Sequence, residues 1–275
     1  MTRTSAAPTR LLGAVASGAP TLDVVHHCDA LTLLRALPSA SVDIVVTSPP
    51  YNILWKSHTS HGMLRNNKWL LNFMDGYDNY SDNLPEAKYQ QWIKQVVIEC
   101  MRVSKGLVWV NHKTRYRDGV GIHPLQFLPF PLWSEVVWNR MGTIQMNHNR
   151  FAPSHEYVFG FGRPHFWDKR YNTAMSVWDI WPSQNKDFPC SFPEDLITPL
   201  IKSSCPDGGI VLDPFMGSGT TALVAHATGR HYIGCDISPK YVQQARKRLA
   251  DTDPYQPTTL STGDKQLSLF EGLAS

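Results

Sequence analysis

Twice in this chain a short run of β-branched and aliphatic residues ends at a corner of special residues, and the two corners together constrain the fold. The first run, Val42 to Val46, leads into Thr47-Ser48-Pro49-Pro50-Tyr51. The second, Ile210-Val211-Leu212, leads into Asp213-Pro214-Phe215-Met216-Gly217-Ser218-Gly219-Thr220-Thr221. Short, continuously apolar runs bounded by turn residues suit strands buried on both faces, the habit of parallel sheets covered by helices. Such sheets hold their ligands beyond the carboxyl ends of the strands. Both corners lie at such ends, so an α/β fold in which they line one shared cleft is expected.

The chemistry of each corner is distinct. Adjacent prolines remove two backbone donors and stiffen the first turn, leaving carbonyls free to accept. With the Ser48 hydroxyl and the flat ring of Tyr51, the corner offers acceptors for an exocyclic NH2 beside a stacking face, which is what a flipped-out base requires. An ordinary proline-rich turn is the plainer reading of that pentapeptide. The glycines of the second corner allow close backbone approach to a ligand, and Thr220 or Thr221 can open a helix. A phosphate loop would need a lysine that is missing here, and the glycine spacing does not fit GxGxxG. The strand from His231 to Cys235 then ends at Asp236, a carboxylate placed for ribose hydroxyls. A cofactor with an adenosine end follows.

TSPPY upstream and LDPFMGSGTT downstream, over roughly residues 22 to 250, resemble the β-type, circularly permuted DNA amino-methyltransferases, which use S-adenosylmethionine. The resemblance implies a Rossmann-like methyltransferase fold: a mostly parallel sheet with an antiparallel edge, helices on both faces and inserted DNA-recognition loops. It implies catalysis by Ser48, Pro49, Pro50 and Tyr51. Cofactor contacts are expected from Thr47, Asp213, Pro214, Phe215, Gly217, Ser218, Gly219, Thr220 and Asp236. An acid after the first strand faces the cofactor adenine in the family, a role that falls on Asp29; an N-cap of the following helix competes for the same residue. Ser at the head of the loop resembles the cytosine N4 enzymes, whereas Asp or Asn is commoner among the adenine N6 enzymes. Cytosine is therefore favoured, with adenine as the alternative and a DNA reader without catalysis as a further one. Methylation of RNA or of a protein glutamine, where Asn-Pro-Pro-Tyr loops occur, is a competing enzyme reading. Pro189-Cys190-Ser191 only partly echoes the nucleophile setting of ring-carbon methylation. Where the family usually opens the helix before the glycine corner with His-Pro, this chain has Phe188-Pro189 and Phe192-Pro193.

A chain of 275 residues with 42% hydrophobic content suits one such domain, residues 21 to 250, between a flexible start (1 to 20) and a flexible tail (251 to 275). The net charge of +3 is modest, but residues 102 to 170 hold ten Lys or Arg against four Asp or Glu, interleaved with Trp and Tyr. That mixture suits phosphate contact and stacking, so double-stranded DNA is the expected partner. Lys113 and Arg115 stand at an expected strand end; Arg140, Asn147, His148, Asn149 and Arg150 are side chains of the kind that read base edges. Target recognition is assigned to about 140 to 187, and residues 52 to 83 to a lid or binding loop. The histidines there lack metal-ligand spacing, and no metal is expected. Five scattered cysteines suggest neither disulfides nor zinc and fit a reducing cytoplasm; the resemblance implies a bacterial or phage-encoded, nucleoid-associated protein. No stretch approaches a membrane span. Gln266-Leu267-Ser268-Leu269-Phe270 is similar to the peptide by which bacterial proteins dock on the replicative sliding clamp. A monomer or homodimer is expected.

Overall fold

In the computed structural model, residues 21–53, 82–142, 150–183 and 191–252 are described. The chain runs β1 (Val24–His27), α1 (Ala30–Ala36), β2 (Ile44–Thr47), α2 (Glu86–Val103), β3 (Val108–His112), β4 (Arg115–Arg117) and β5 (Val120–Ile122). It continues through β6 (Leu132–Asn139), β7 (His155–Phe161), β8 (Val177–Asp179), α3 (Glu194–Ser204), β9 (Ile210–Asp213), α4 (Thr220–Ala227), β10 (His231–Asp236) and α5 (Pro239–Ala250). The main sheet has eight strands in the order β1-β10-β9-β2-β3-β7-β6-β8, while β4 and β5 form a separate hairpin. Pairing is parallel from β1 through β3, antiparallel where β7 meets β3 and β6, and parallel again between β6 and β8.

Each central strand is apolar on both faces because helices cover both. Ile44, Val46, Trp109, Val211 and Tyr232 face the layer of α3, α4 and α5. Their neighbours Val45, Val108, Val110, Leu212 and Ile233 face α1 and α2. The period-two alternation thus sorts one strand between two cores. Each fully buried aliphatic side chain stabilises by about 1.5–3 kcal/mol relative to exposure. Asp29 caps α1, its Oδ1 accepting from Leu31 N–H (2.9 Å) and Thr32 N–H (3.2 Å). Ser238 caps α5 ahead of Pro239.

Two readings of the sequence need correction. β3 runs on through Asn111 and His112, which are buried rather than part of a polar strand end open to DNA. The stretch assigned to target recognition is not all loop: it contains β8, with Trp178 and the following Ile180 buried, which extends the sheet beyond β6. Three residues of edge strand are too few to carry a periodic signal.

Gly160 on β7 makes room for the indole of Trp109, which is buried and donates to Ser204 Oγ at 3.0 Å. A Cβ at residue 160 would come within 2.6 Å of that ring. Gly160→Ala is expected to destabilise the fold by about 1–3 kcal/mol, as overpacking does. Thermal unfolding checks this, and an unchanged melting temperature would contradict it.

Candidate active site

The strands β1, β10, β9 and β2 lie side by side and parallel, so their carboxyl ends deliver Asp29, Asp236, Asp213 and Ser48 to one edge of the sheet. There they wall an open cavity. Ser48 and Pro50 of the proline corner face Pro214, Phe215, Gly217 and Ser218 of the glycine corner across it, with Trp92 of α2 alongside. The two corners do share one cleft.

Asp213 is the brace between them. Its buried carboxylate accepts from Thr47 Oγ1 at 2.7 Å, Thr221 Oγ1 at 2.7 Å and Phe215 N–H at 3.0 Å. These bonds tie the end of β2 to the start of α4. Thr47, expected to touch a cofactor, is turned to this brace and does not line the cavity. Gly219 is likewise structural: it begins α4 at φ 82°, and a Cβ there would sit 2.9 Å from the Ala245 Cβ. The glycine is needed for the left-handed turn and for the contact of α4 with α5.

Burial pushes the Asp213 carboxyl up from 3.8 to about 6, against the pull of its three donors. A raised native value means that between those limits the folded protein holds a proton the unfolded chain has released. The group's contribution is then greatest below about pH 4 and lost as pH rises through about 6. Asp213→Asn is expected to flatten the pH dependence of stability in that window. Chemical unfolding at several pH values measures it, and an unaltered slope would refute the assignment.

The Asp236 carboxylate accepts from Gly217 N–H (2.9 Å) through Oδ2 and from Ser238 N–H (2.8 Å) through Oδ1. Burial raises its pKa. It therefore fixes the glycine turn while still lining the cavity. At the opposite wall Ser191, Ser218 and Thr220 form a triangle of hydroxyls with sides of 2.8, 3.0 and 3.1 Å. Arg248 donates to Thr220 Oγ1 at 3.1 Å and reaches Glu194 at 2.9 Å. Ser191 entered the sequence reading only within Pro189-Cys190-Ser191, and Arg248 escaped it because it belongs to no recognisable motif.

The proline corner is held from two sides. His112 Nδ1 lies 2.8 Å from Lys113 N–H and 2.9 Å from the Lys113 carbonyl, and its Nε2 is hydrogen-bonded to Tyr89 Oη at 2.7 Å. Tyr89 in turn donates to the Pro50 carbonyl at 2.9 Å. Burial drives the His112 pKa down to about 3, which keeps the ring neutral. On the other side, Tyr51 Oη lies 3.0 Å from Ser48 Oγ and donates towards Asn111 Oδ1 (2.6 Å) and Glu156 Oε2 (3.0 Å). Tyr51 stands beside the cavity, with its ring centroid 4.8 Å from that of His112. Beyond it, Asp82 accepts from Asn52 N–H (2.6 Å) and Ile53 N–H (2.9 Å), pinning together the two ends of segment 54–81.

The basic residues divide. Lys113 holds its ammonium 5.5 Å above the Tyr51 ring. Arg140 pairs with Glu156 at 2.9 Å, next to the same tyrosine. Arg150 stacks 3.8 Å over Tyr116 of β4. Arg115, expected at a DNA surface, is buried instead: it grips Glu86 with two bonds of 2.8 and 2.7 Å and lies over Tyr89 and Phe127. A strand-end arginine beside a helix that begins with glutamate was drawn inward by that carboxylate. Asn147, His148, Asn149 and the Gln266–Phe270 peptide lie outside the described residues. Among the described residues no group of three His, Cys, Asp or Glu side chains is placed to share a metal ion, and no helix is long and apolar enough to cross a membrane.

Comparison with known proteins agrees with this geometry. The chain is 28% identical to the type II methyltransferase M.HinfI of Haemophilus influenzae, across 85% of this chain and 70% of that protein. It is also 28% identical to the type II methyltransferase M.XycI of Xanthomonas campestris pv. cyanopsidis, across 80% and 85%. Among solved structures, the cytosine-N4-specific PvuII DNA methyltransferase superposes with a TM-score of 0.62 at 19% identity, covering 92% of this chain and 93% of that one. A DNA modification methylase of Thermus thermophilus, complexed with S-adenosyl-L-methionine, gives 0.56 at 22% identity, covering 82% and 93%. At those identities the superpositions speak for the fold. The sequence profile of the N6/N4 DNA methylases matches residues 42–247, and the chain belongs to that family.

Proposed function

We propose that this protein transfers a methyl group from S-adenosylmethionine to the exocyclic amino group of a base flipped out of double-stranded DNA, with N4 of cytosine as the target. The observation that carries the reading is the single cavity walled on one side by Ser48 and Pro50 and on the other by Gly217, Ser218 and Asp236. The donors and acceptors present fit the cofactor. Asp236 keeps lone pairs for a ribose diol, Asp29, which also lines the cavity, would serve the adenine end, and Phe215 with Trp92, 5.7 Å apart edge to face, offers an apolar slot. The triangle of hydroxyls backed by Arg248 suits the amino-acid end. When bound, the cofactor supplies an activated methyl on a sulfonium.

What the chain contributes is orientation and charge. The amino nitrogen of the base is a poor nucleophile because its lone pair is delocalised into the ring. Acceptors aimed at its hydrogens favour the pyramidal nitrogen that develops during attack, stabilising the transition state more than the ground state. Tyr89 already donates to the Pro50 carbonyl, so the Ser48 hydroxyl, which lines the cavity, would be the acceptor, joined by the Pro49 carbonyl as the family resemblance implies. Lys113, Arg140 and Arg150 would meet phosphate around the mouth. Four free cysteines among the described residues are compatible with a reducing compartment.

Adenine N6 is the second reading, since the family includes both targets. Incubation with isotopically labelled S-adenosylmethionine and duplex DNA, digestion to nucleosides and chromatography tests both. N4-methylcytosine is expected; N6-methyladenine would overturn the base, and no label in DNA would overturn the function.

A further inference from the structure

The hydrogen bonds around Ser48 form a chain with a direction. Tyr51 Oη has one proton and donates it towards Asn111 and Glu156. The Ser48 proton can then make the 3.0 Å contact with Tyr51 Oη as acceptor, Asn111 Oδ1 at 3.5 Å being its more distant second acceptor. That leaves the lone pairs of Ser48 Oγ turned to the cavity. At the far end Glu156 is 5% exposed, and its two oxygens have separate partners: Oε2 faces Tyr51 at 3.0 Å and Oε1 faces Arg140 at 2.9 Å.

We propose that Glu156 takes up the proton released in methyl transfer, reached from the amino group of the base through the hydroxyls of Ser48 and Tyr51. The inference rests on the function proposed above. As the nitrogen–carbon bond forms, the carbon–sulfur bond breaks and its electron pair stays with sulfur, which leaves as a neutral thioether. The nitrogen is then a methylated ammonium with one proton in excess. That proton passes to Ser48 Oγ as the serine proton moves to Tyr51 Oη and the tyrosine proton to Glu156 Oε2. Both hydroxyls are restored, the methylamino group is neutral, and Glu156 is a carboxylic acid. It returns its proton to water beside Arg140, whose side chain is 35% exposed.

Two features favour this route. The Asn111 oxygen, nearer to Tyr51 at 2.6 Å, accepts a hydrogen bond but cannot be protonated, whereas a carboxylate can. An ammonium attached to an aromatic ring is also a strong acid, so even a carboxylate held by arginine is base enough. The relay needs no water in the cavity, where water would compete for the methyl group.

Glu156→Gln keeps the shape and one of the two acceptors but removes the base, and Tyr51→Phe keeps the ring but cuts the chain. In single-turnover methylation of duplex DNA by the full-length protein at saturating S-adenosylmethionine, each is expected to be on the order of 100-fold slower, the lower range for general base catalysis. The double variant is expected to be no slower than the worse single one, because two links of one series act as a unit. Cofactor affinity, measured in parallel, stays within about twofold. A Gln variant within about twofold of the wild type, or penalties that multiply, would overturn the proposal. Should the Gln variant fail to fold, Tyr51→Phe carries the test: slowing by deuterated water is expected in the wild type and lost in the variant, and equal isotope effects would overturn the relay. A wild type that methylates no DNA at all would instead overturn the function.

Discussion

Ser48→Ala is expected to slow methyl transfer by roughly 10²–10³, the cost of removing one preorganised polar group from a transition state. Affinity for S-adenosylmethionine should change by no more than about twofold, since the glycine corner that would hold it is braced independently. The asymmetry follows from the bonds around the loop. Without the serine hydroxyl, Tyr51 keeps Asn111 and Glu156, and the Pro50 carbonyl keeps Tyr89, so the corner retains its position. Asp213 still ties Thr47 to Thr221. What disappears is an acceptor at the nitrogen and the first link of the proton route. Rapid-quench single turnovers with labelled cofactor give the rate, and equilibrium titration gives the affinity. A variant that loses both in equal measure would make Ser48 a structural residue of the cofactor site rather than the acceptor for the substrate amine.

The sequence disclosed the frame of this site because the frame is made of short-range signals. β2 and β9 are continuous apolar runs, and the residues that stop them, prolines at one end and glycines at the other, are needed for backbone reasons that leave a mark in one dimension. That the two corners share one cleft was an inference from where parallel sheets hold ligands, and the direct pairing of β2 with β9, which the sequence did not reveal, brings them together. The supports were hidden because their meaning is long-range. Glu156 looks like an ordinary residue of an alternating strand, and its value comes from facing Tyr51, 105 positions earlier. Tyr89 reads as one core position among several on α2, and only packing reveals that its hydroxyl reaches Pro50. Asn111 and His112 interrupt an apolar pattern and so resemble a strand end. They are tolerated inside because each polar atom is met: Asn111 Nδ2 by the Tyr157 carbonyl at 2.9 Å, His112 by Tyr89 and Lys113. Asp213 and Thr47 were recognised as site residues, but the bracing bond between them was not foreseen. A buried carboxylate beside two threonine hydroxyls is first of all a group that must be satisfied.

Asp236→Ala should show the reverse pattern. S-adenosylmethionine affinity is expected to fall by roughly 10²–10³, about two hydrogen bonds to a charged acceptor at 1.5–3 kcal/mol each, less what water recovers. The rate at saturating cofactor should stay within about tenfold of the wild type, because Asp236 lies away from the reacting nitrogen. Part of the loss is local: Gly217 and Ser218 form the turn that closes on the cavity, and Gly217 N–H and Ser238 N–H both lose their acceptor. Ligand-free melting separates that share from direct contact, since only the structural share lowers stability in the absence of cofactor. The stabilisation conferred by cofactor reports the rest: at 100 times its dissociation constant it is worth about 2.7 kcal/mol, and in the variant at the same concentration it should nearly vanish. The wild type carries its own control. Burial raises the Asp236 pKa above 3.8, so acidification should remove the acceptor earlier than for an exposed aspartate. Affinity is then expected to decline with falling pH in the wild type and to lose that component in Asp236→Ala. If the variant bound cofactor normally but turned over slowly, the roles assigned to Asp236 and Ser48 would have to be exchanged.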